Sequence, residues 1–198
     1  GTSNAFTVDP AALTTFAFDT IGTQTAGGAF SVGITAQDEF GNTVTDYVGP
    51  AVLTDTTGTI DPSETGVFSA GIWTDTVTIT KTVTSGTITV TDGLVTGTSN
   101  AFTVIPGPLH HIVISPTDAT ILAGAQQDYT AAAFDQFDNL RGDVTAETAF
   151  EIEDGAGGSW LDNVYTSENY GTWIVTGEYT GDSEKESDTA TLTVLDTD

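Results

Sequence analysis

The chain has 198 residues, and 38% of them are hydrophobic, enough for packed cores in one large or two small domains. Its 28 acids against 3 basic residues give a net charge of −25, which repels phosphate backbones and excludes nucleic acid as a partner. It has no cysteine, which excludes disulfides, zinc–thiolate sites and thiol nucleophiles, and no run of 18 apolar residues, so no membrane insertion is expected in this segment.

Residues 1–8 read Gly-Thr-Ser-Asn-Ala-Phe-Thr-Val, and residues 97–104 repeat them letter for letter. The octapeptide ends in the alternation Phe6, Val8, matched by Phe102, Val104. Residues 1–8 are therefore expected to be the closing strand of an upstream repeat, and a candidate donor strand through Phe6 and Val8. Val8-Asp9-Pro10 then opens a first unit over 9–104, and Ile105-Pro106-Gly107-Pro108 crosses into a second over 105–198. Further echoes follow in order at spacings of 96 to 100 residues. Leu13, Phe16 and Phe18 answer to Leu109, Ile112 and Ile114. Ala26-Gly27 answers to Ala123-Gly124, Asp38-Glu39-Phe40-Gly41-Asn42 to Asp135-Gln136-Phe137-Asp138-Asn139, and Gly71-Ile72-Trp73 to Gly171-Thr172-Trp173.

Each unit reads as all-β. The 40 threonines are β-branched and favour strands. Phe30–Ala36 alternates large and small, and Val77–Thr80 and Thr87–Val90 alternate apolar residues with threonine. In the second unit 149–153 and 190–194 do the same, and Ala131–Ala133 is strand by its match to 31–36. Turn signals interrupt at Gly27-Gly28, Gly41-Asn42, Asp61-Pro62-Ser63, Ser85-Gly86, Asp92-Gly93, 155–158 and Gly181-Asp182-Ser183. The expected fold is two tandem antiparallel β-sandwiches of about seven strands each.

The strand, Asp-x-Phe-x-Asn turn, Gly-x-Trp strand and closing Ala-Phe-Thr-Val strand resemble the bacterial immunoglobulin-like domains, the invasin/intimin type in particular. The paired cysteines of antibody domains are missing, and Asp138 stands where the first unit has Gly41. The resemblance implies an extracellular cell-surface location, immunoglobulin-like sandwiches, and a stalk or spacer role beside neighbouring repeats of an adhesin, S-layer-like or filament protein. It supplies no catalytic residues.

The residues that could carry chemistry are few. Adjacent strand positions point His110 and His111 to opposite faces, which disfavours chelation of one metal. Arg141-Gly142-Asp143 spells a receptor-binding tripeptide, expected on a loop, with Arg141 as a lone cation pairing with nearby carboxylates. Calcium takes hard oxygens, and the candidate ligands are Asp135, Asp138, Asn139 and Asp143, against the alternative of a solvated acidic surface. The acids are densest at Glu178, Asp182, Glu184, Glu186 and Asp188. Phe40 and Phe137 are expected to plug a sandwich end. Trp160, Tyr165 and Tyr170 belong to the second unit alone and form a candidate glycan- or receptor-binding face, with core packing as the alternative. No nucleophile–base or metal motif supports an enzyme. The expected function is a non-catalytic structural or adhesive module, associating with neighbouring repeats or with identical subunits in a lattice or filament. The alternative is a binding module whose second domain carries the face.

Overall fold

The computed structural model describes residues 1–181 and 185–197. Asp182, Ser183 and Glu184, part of the expected turn and acidic cluster, lie outside the described residues. The chain divides into two compact units, 1–105 and 106–198.

In the first unit β1 (Thr15–Phe18), β3 (Phe30–Gln37) and β5 (Ile72–Val77) make one sheet, with β3 central. A second sheet runs β4 (Val52–Asp55), β7 (Ile88–Asp92), β8 (Val95–Thr98), and a third β2 (Gln24–Thr25), β9 (Phe102–Ile105), β6 (Val83–Gly86). The period-2 reading of β3 holds: Phe30, Val32, Ile34 and Ala36 are buried and Ser31 is exposed. β7 buries Ile88 and Val90 and leaves its threonines half-exposed. The strand expected over 77–80 is cut short. β5 ends at Val77, and Thr78 bridges instead to Asp61. Val77 and Ile79 stay buried, so the alternation survives while the ladder partner changes.

The second unit departs from this plan at the matched Gly-x-Trp segments: Ile72 and Trp73 pair with β3, whereas Thr172 and Trp173 pair with the closing strand, at Thr193 and Leu192. β10 (His111–Ser115), β13 (Thr130–Phe134) and β14 (Leu140–Asp143) form one sheet. β11 (Asp118–Leu122), β19 (Ser187–Leu195), β18 (Gly171–Tyr179) and β15 (Thr148–Ile152) form another. β12 (Gln126–Asp128), β17 (Val164–Thr166) and β16 (Ser159–Leu161) form a third. The alanine run is strand, as its match required. Its core gathers Ile112, Ile114, Tyr129, Phe150, Tyr165, Val175, Leu192 and Val194. Each such side chain contributes about 1.5–3 kcal/mol by leaving water.

Among the described residues the units hold nine and ten strands, against about seven expected, and two pairings are parallel. The parallel pairings, and one of the added strands in each unit, come from an opening strand that breaks and changes sheet. In the first unit β1 pairs antiparallel with β3, and β2 then runs parallel to β9. Asn100 holds that break, accepting from the Ile21 N–H at 2.9 Å and donating to the Ile21 carbonyl at 2.8 Å. In the second unit β10 ends before Pro116, which has no N–H for a ladder, and β11 runs parallel to β19.

Candidate functional site

The two Asp-x-Phe-x-Asn turns are built alike. Asp38 Oδ1 accepts from the backbone N–H groups of Phe40 and Asn42, both at 2.9 Å, and Oδ2 accepts from Ala11 N–H at 2.9 Å and Asn42 Nδ2 at 3.0 Å. Asp135 does the same with Phe137 and Asn139 at 2.9 Å, Gly107 at 2.8 Å and Asn139 Nδ2 at 2.8 Å. Each carboxylate thus closes its own turn and ties down the segment that enters its unit. The Asn42 side chain, with the backbone donors, holds the Asp38 carboxyl down at about 2, against the push of burial. Burial pushes Asp135 up, but Asn139, Gly107 and Phe137 donors outweigh it and hold the carboxyl below its usual range. The segment anchor was not evident in the motif, because Ala11 and Gly107 are distant in sequence and donate only through backbone.

The four candidate calcium ligands fall into separate networks. Asp135 and Asn139 bond each other. Asp138 is exposed and faces His111, with Oδ1 3.7 Å from Nε2. Asp143 accepts from Thr145 N–H at 2.8 Å. Among the described residues no three histidine, aspartate or glutamate groups converge to hold a metal ion. Phe40 does not plug a sandwich end: it is 75% exposed, because the turn points the Asp38 carboxylate inward and carries Phe40 to its outer side. Phe137 is half-buried.

Trp160 and Tyr165 are cross-strand partners with ring centroids 5.1 Å apart, but the face they share is the core, and Tyr170 is not on it. Tyr165 is fully buried, its hydroxyl donating to the Gly157 carbonyl at 2.7 Å. Trp160 packs against that core, near-parallel to Phe150 with centroids 5.9 Å apart, whereas Tyr170 is exposed. Alternation across the β16–β17 hairpin turns Tyr165 inward. Among the described residues the Tyr129 hydroxyl and Trp160 Nε1 are buried without a hydrogen-bond partner. Burial pushes the Tyr129 phenol up to about 12. A groove of about 670 Å³ lies alongside, lined by Asp143, Thr145, Thr148, Phe150, Asp162 and Asn163. Phe150 joins it to Trp160, and Asn163 Nδ2 donates to the Tyr129 carbonyl at 2.7 Å.

Arg141-Gly142-Asp143 is not on a loop. It lies in β14, paired with β13 through Ala133↔Gly142 and Ala132↔Asp143. Arg141 Nη1 donates to the Gly107 carbonyl at 2.6 Å, so its partner is backbone at the same anchored segment and not a carboxylate as expected. The histidines also depart from expectation. His110 precedes β10 and is free of the strand's alternation, and its Nδ1 lies 3.3 Å from His111 Nδ1. Phe6 and Val8 are 81% and 80% exposed, while Phe102 and Val104 of the identical octapeptide are 6% and 2% exposed.

No protein-family model matches the chain, and no characterised protein matches it in sequence. Solved structures do. The Escherichia coli adhesin FdeC is 19% identical over 98% of this chain and 67% of its own, with a TM-score of 0.50. Domains 5–6 of the S-layer protein SbsC are 21% identical over 96% of this chain and all of theirs, at 0.36. The Yersinia pseudotuberculosis adhesin InvE is 16% identical over 86% of this chain and 56% of its own, at 0.38. The likeness to FdeC shows the fold, two tandem immunoglobulin-like β-sandwiches.

Proposed function

We propose that the chain is a non-catalytic structural module of an extracellular surface protein, a tandem immunoglobulin-like spacer joined to neighbouring repeats. The observation that carries this reading is the use made of the polar side chains the two units share. Asp38 and Asp135 anchor the entry segment of each unit with matching sets of donors. These groups hold the modules together, and their lone pairs are occupied by N–H groups. A spacer must keep its ends tied to its core under tension, and this is what the two carboxylates do. The structures resembling it in fold include an adhesin and an S-layer protein, which supports a surface setting.

Single-molecule extension tests the reading. Each unit should unfold in its own event and release about 30 nm, from roughly 3.4 Å per residue. D135A should lower the force of one event and leave the other unchanged. Unfolding in a single merged event, or at a force too low to resolve, would remove the spacer role.

A second reading has one observation in its favour. The groove beside Phe150 carries carboxylates, an amide and an adjoining pair of unpartnered buried donors, Tyr129 and Trp160, a make-up suited to a neutral polyhydroxyl ligand. Glycan-array binding by the chain that is lost on N163A, with the melt unchanged, would make it a binding module.

A further inference from the structure

His110 and His111 are the chain's two histidines, and both lie at the start of the second unit. Their Nδ1 atoms approach to 3.3 Å. The His111 ring lies flat on its cross-strand partner Phe134, with centroids 5.3 Å apart and an interplanar angle of 11°. That stack fixes the ring. On its far side Nε2 faces Asp138 Oδ1 at 3.7 Å. The carboxylate lies on the Nε2 side of the ring, and Nδ1 lies on the side of His110, with a lone pair available whenever the proton is on Nε2.

The two units, read against each other, show that this grouping is particular to the second. At the corresponding positions the first unit has Thr14, Thr15, Gln37 and Gly41. Gly41 has φ +81°, and Asp138 holds the same left-handed turn at φ +59°. A residue with a Cβ is disfavoured there, and the turn itself is satisfied by glycine. Asp138 therefore adds a carboxylate at a backbone cost, beside the one histidine that can use it.

We propose that His110 and His111 form a two-nitrogen site for a transition-metal dication of the zinc and copper class, with Asp138 as the positioning carboxylate of His111. Imidazole nitrogens bind zinc at about 2.0–2.1 Å, so two of them at a tetrahedral angle sit about 3.4 Å apart. The observed 3.3 Å matches that separation. Water completes the shell, since His110 is exposed and His111 half-buried. A carboxylate behind a ligating histidine orients the ring. Imidazole selects zinc, nickel and copper over calcium and magnesium, which take hard oxygen. The 18 acids against 2 bases of residues 105–198 concentrate cations near the pair.

The test is calorimetric titration of the full chain with Zn²⁺ at neutral pH, in an excess of Mg²⁺ that occupies the acidic surface. One saturable site per chain is expected. H110A and H111A should each weaken it at least tenfold, and D138N about tenfold, the effect of losing a carboxylate behind a histidine ligand. T14A and T15A should change nothing. A variant that failed to fold would weaken binding trivially, so Cu²⁺ broadening of the wild-type NMR spectrum is the second measurement. Broadening centred on the two imidazole rings supports the site. Broadening centred on Glu178, Glu186 and Asp188, absence of saturation, or Zn²⁺ binding that survives H110A/H111A would each overturn it.

Discussion

Asp38 and Asp135 are buried carboxylates whose partners are all N–H donors, which makes them the most consequential single residues in their units. D135A removes four acceptor contacts and strands the N–H groups of Gly107, Phe137 and Asn139. Stranded buried donors cost about 1–3 kcal/mol each before water relieves them, so a loss of about 3 kcal/mol is expected for the second unit. Its melting temperature should fall by roughly 10–20 °C while the first unit's holds. Acid provides a second check. The Asp38 carboxyl titrates at about 2 in the folded chain, below the roughly 3.9 of an unfolded one. A depressed folded value means the unfolded chain takes up the proton first. The stabilisation is therefore complete above about pH 4 and is lost as pH falls towards 2. D38N should flatten the melting-temperature profile of the first unit across that window, measured as the difference from the wild type so that the other acids cancel. An unchanged slope would mean the hydrogen bonds do not discriminate the ionised form.

At the scale of elements, the octapeptide occurs twice in one chain with opposite environments. In 97–104, Gly97 lies against the Phe16 backbone, Ser99 accepts from Ile88 N–H at 3.0 Å, Asn100 holds the strand break, and Phe102 and Val104 fill the core. In 1–8 the same letters are solvent-exposed. F102A should cost about 3–5 kcal/mol and N100A about 2 kcal/mol in the first unit, while F6A and N4A should leave both melts within about 0.5 kcal/mol. Thermal denaturation of the four variants decides this, and equal effects at the two copies would deny their different burial. The octapeptide was also what made the fold legible, because identity at a spacing of 96 defines the repeat and alternation in 30–36, 87–90 and 190–194 defines its strands. What alternation does not say is which face is inside. Tyr165 and Tyr170 are both aromatic, yet one is core and the other solvent-exposed. Nor does it reveal a strand that changes sheet, since β1 and β2 keep extended backbone while their partners switch from β3 to β9. The His110–His111 approach was hidden for a related reason: strand alternation applies only from His111 onward.

Across the whole molecule the charge is unevenly divided. Residues 1–104 hold 10 acids and 1 lysine, a net of −9, and residues 105–198 hold 18 acids, 1 arginine and 1 lysine, a net of −16. In the second unit Lys185 pairs with Glu178 at 2.8 Å. Exposed pairs of this kind contribute about 0–1 kcal/mol, too little to offset repulsion among so many carboxylates. Repulsion between like charges grows roughly as the square of net charge in a body of fixed size, and the two units are similar in length. The second unit is therefore destabilised about threefold more by its own field. Screening reaches about 8 Å at physiological ionic strength and about 3 Å at 1 M. Raising sodium chloride through that range should lift both melting transitions and lift the second unit's more, drawing the two together or reversing their order. Assigning the transitions with D135A, which shifts only the second, makes the comparison unambiguous. If the first unit gained as much from salt as the second, general exclusion of salt from the protein surface, and not relief of charge repulsion, would be setting the response.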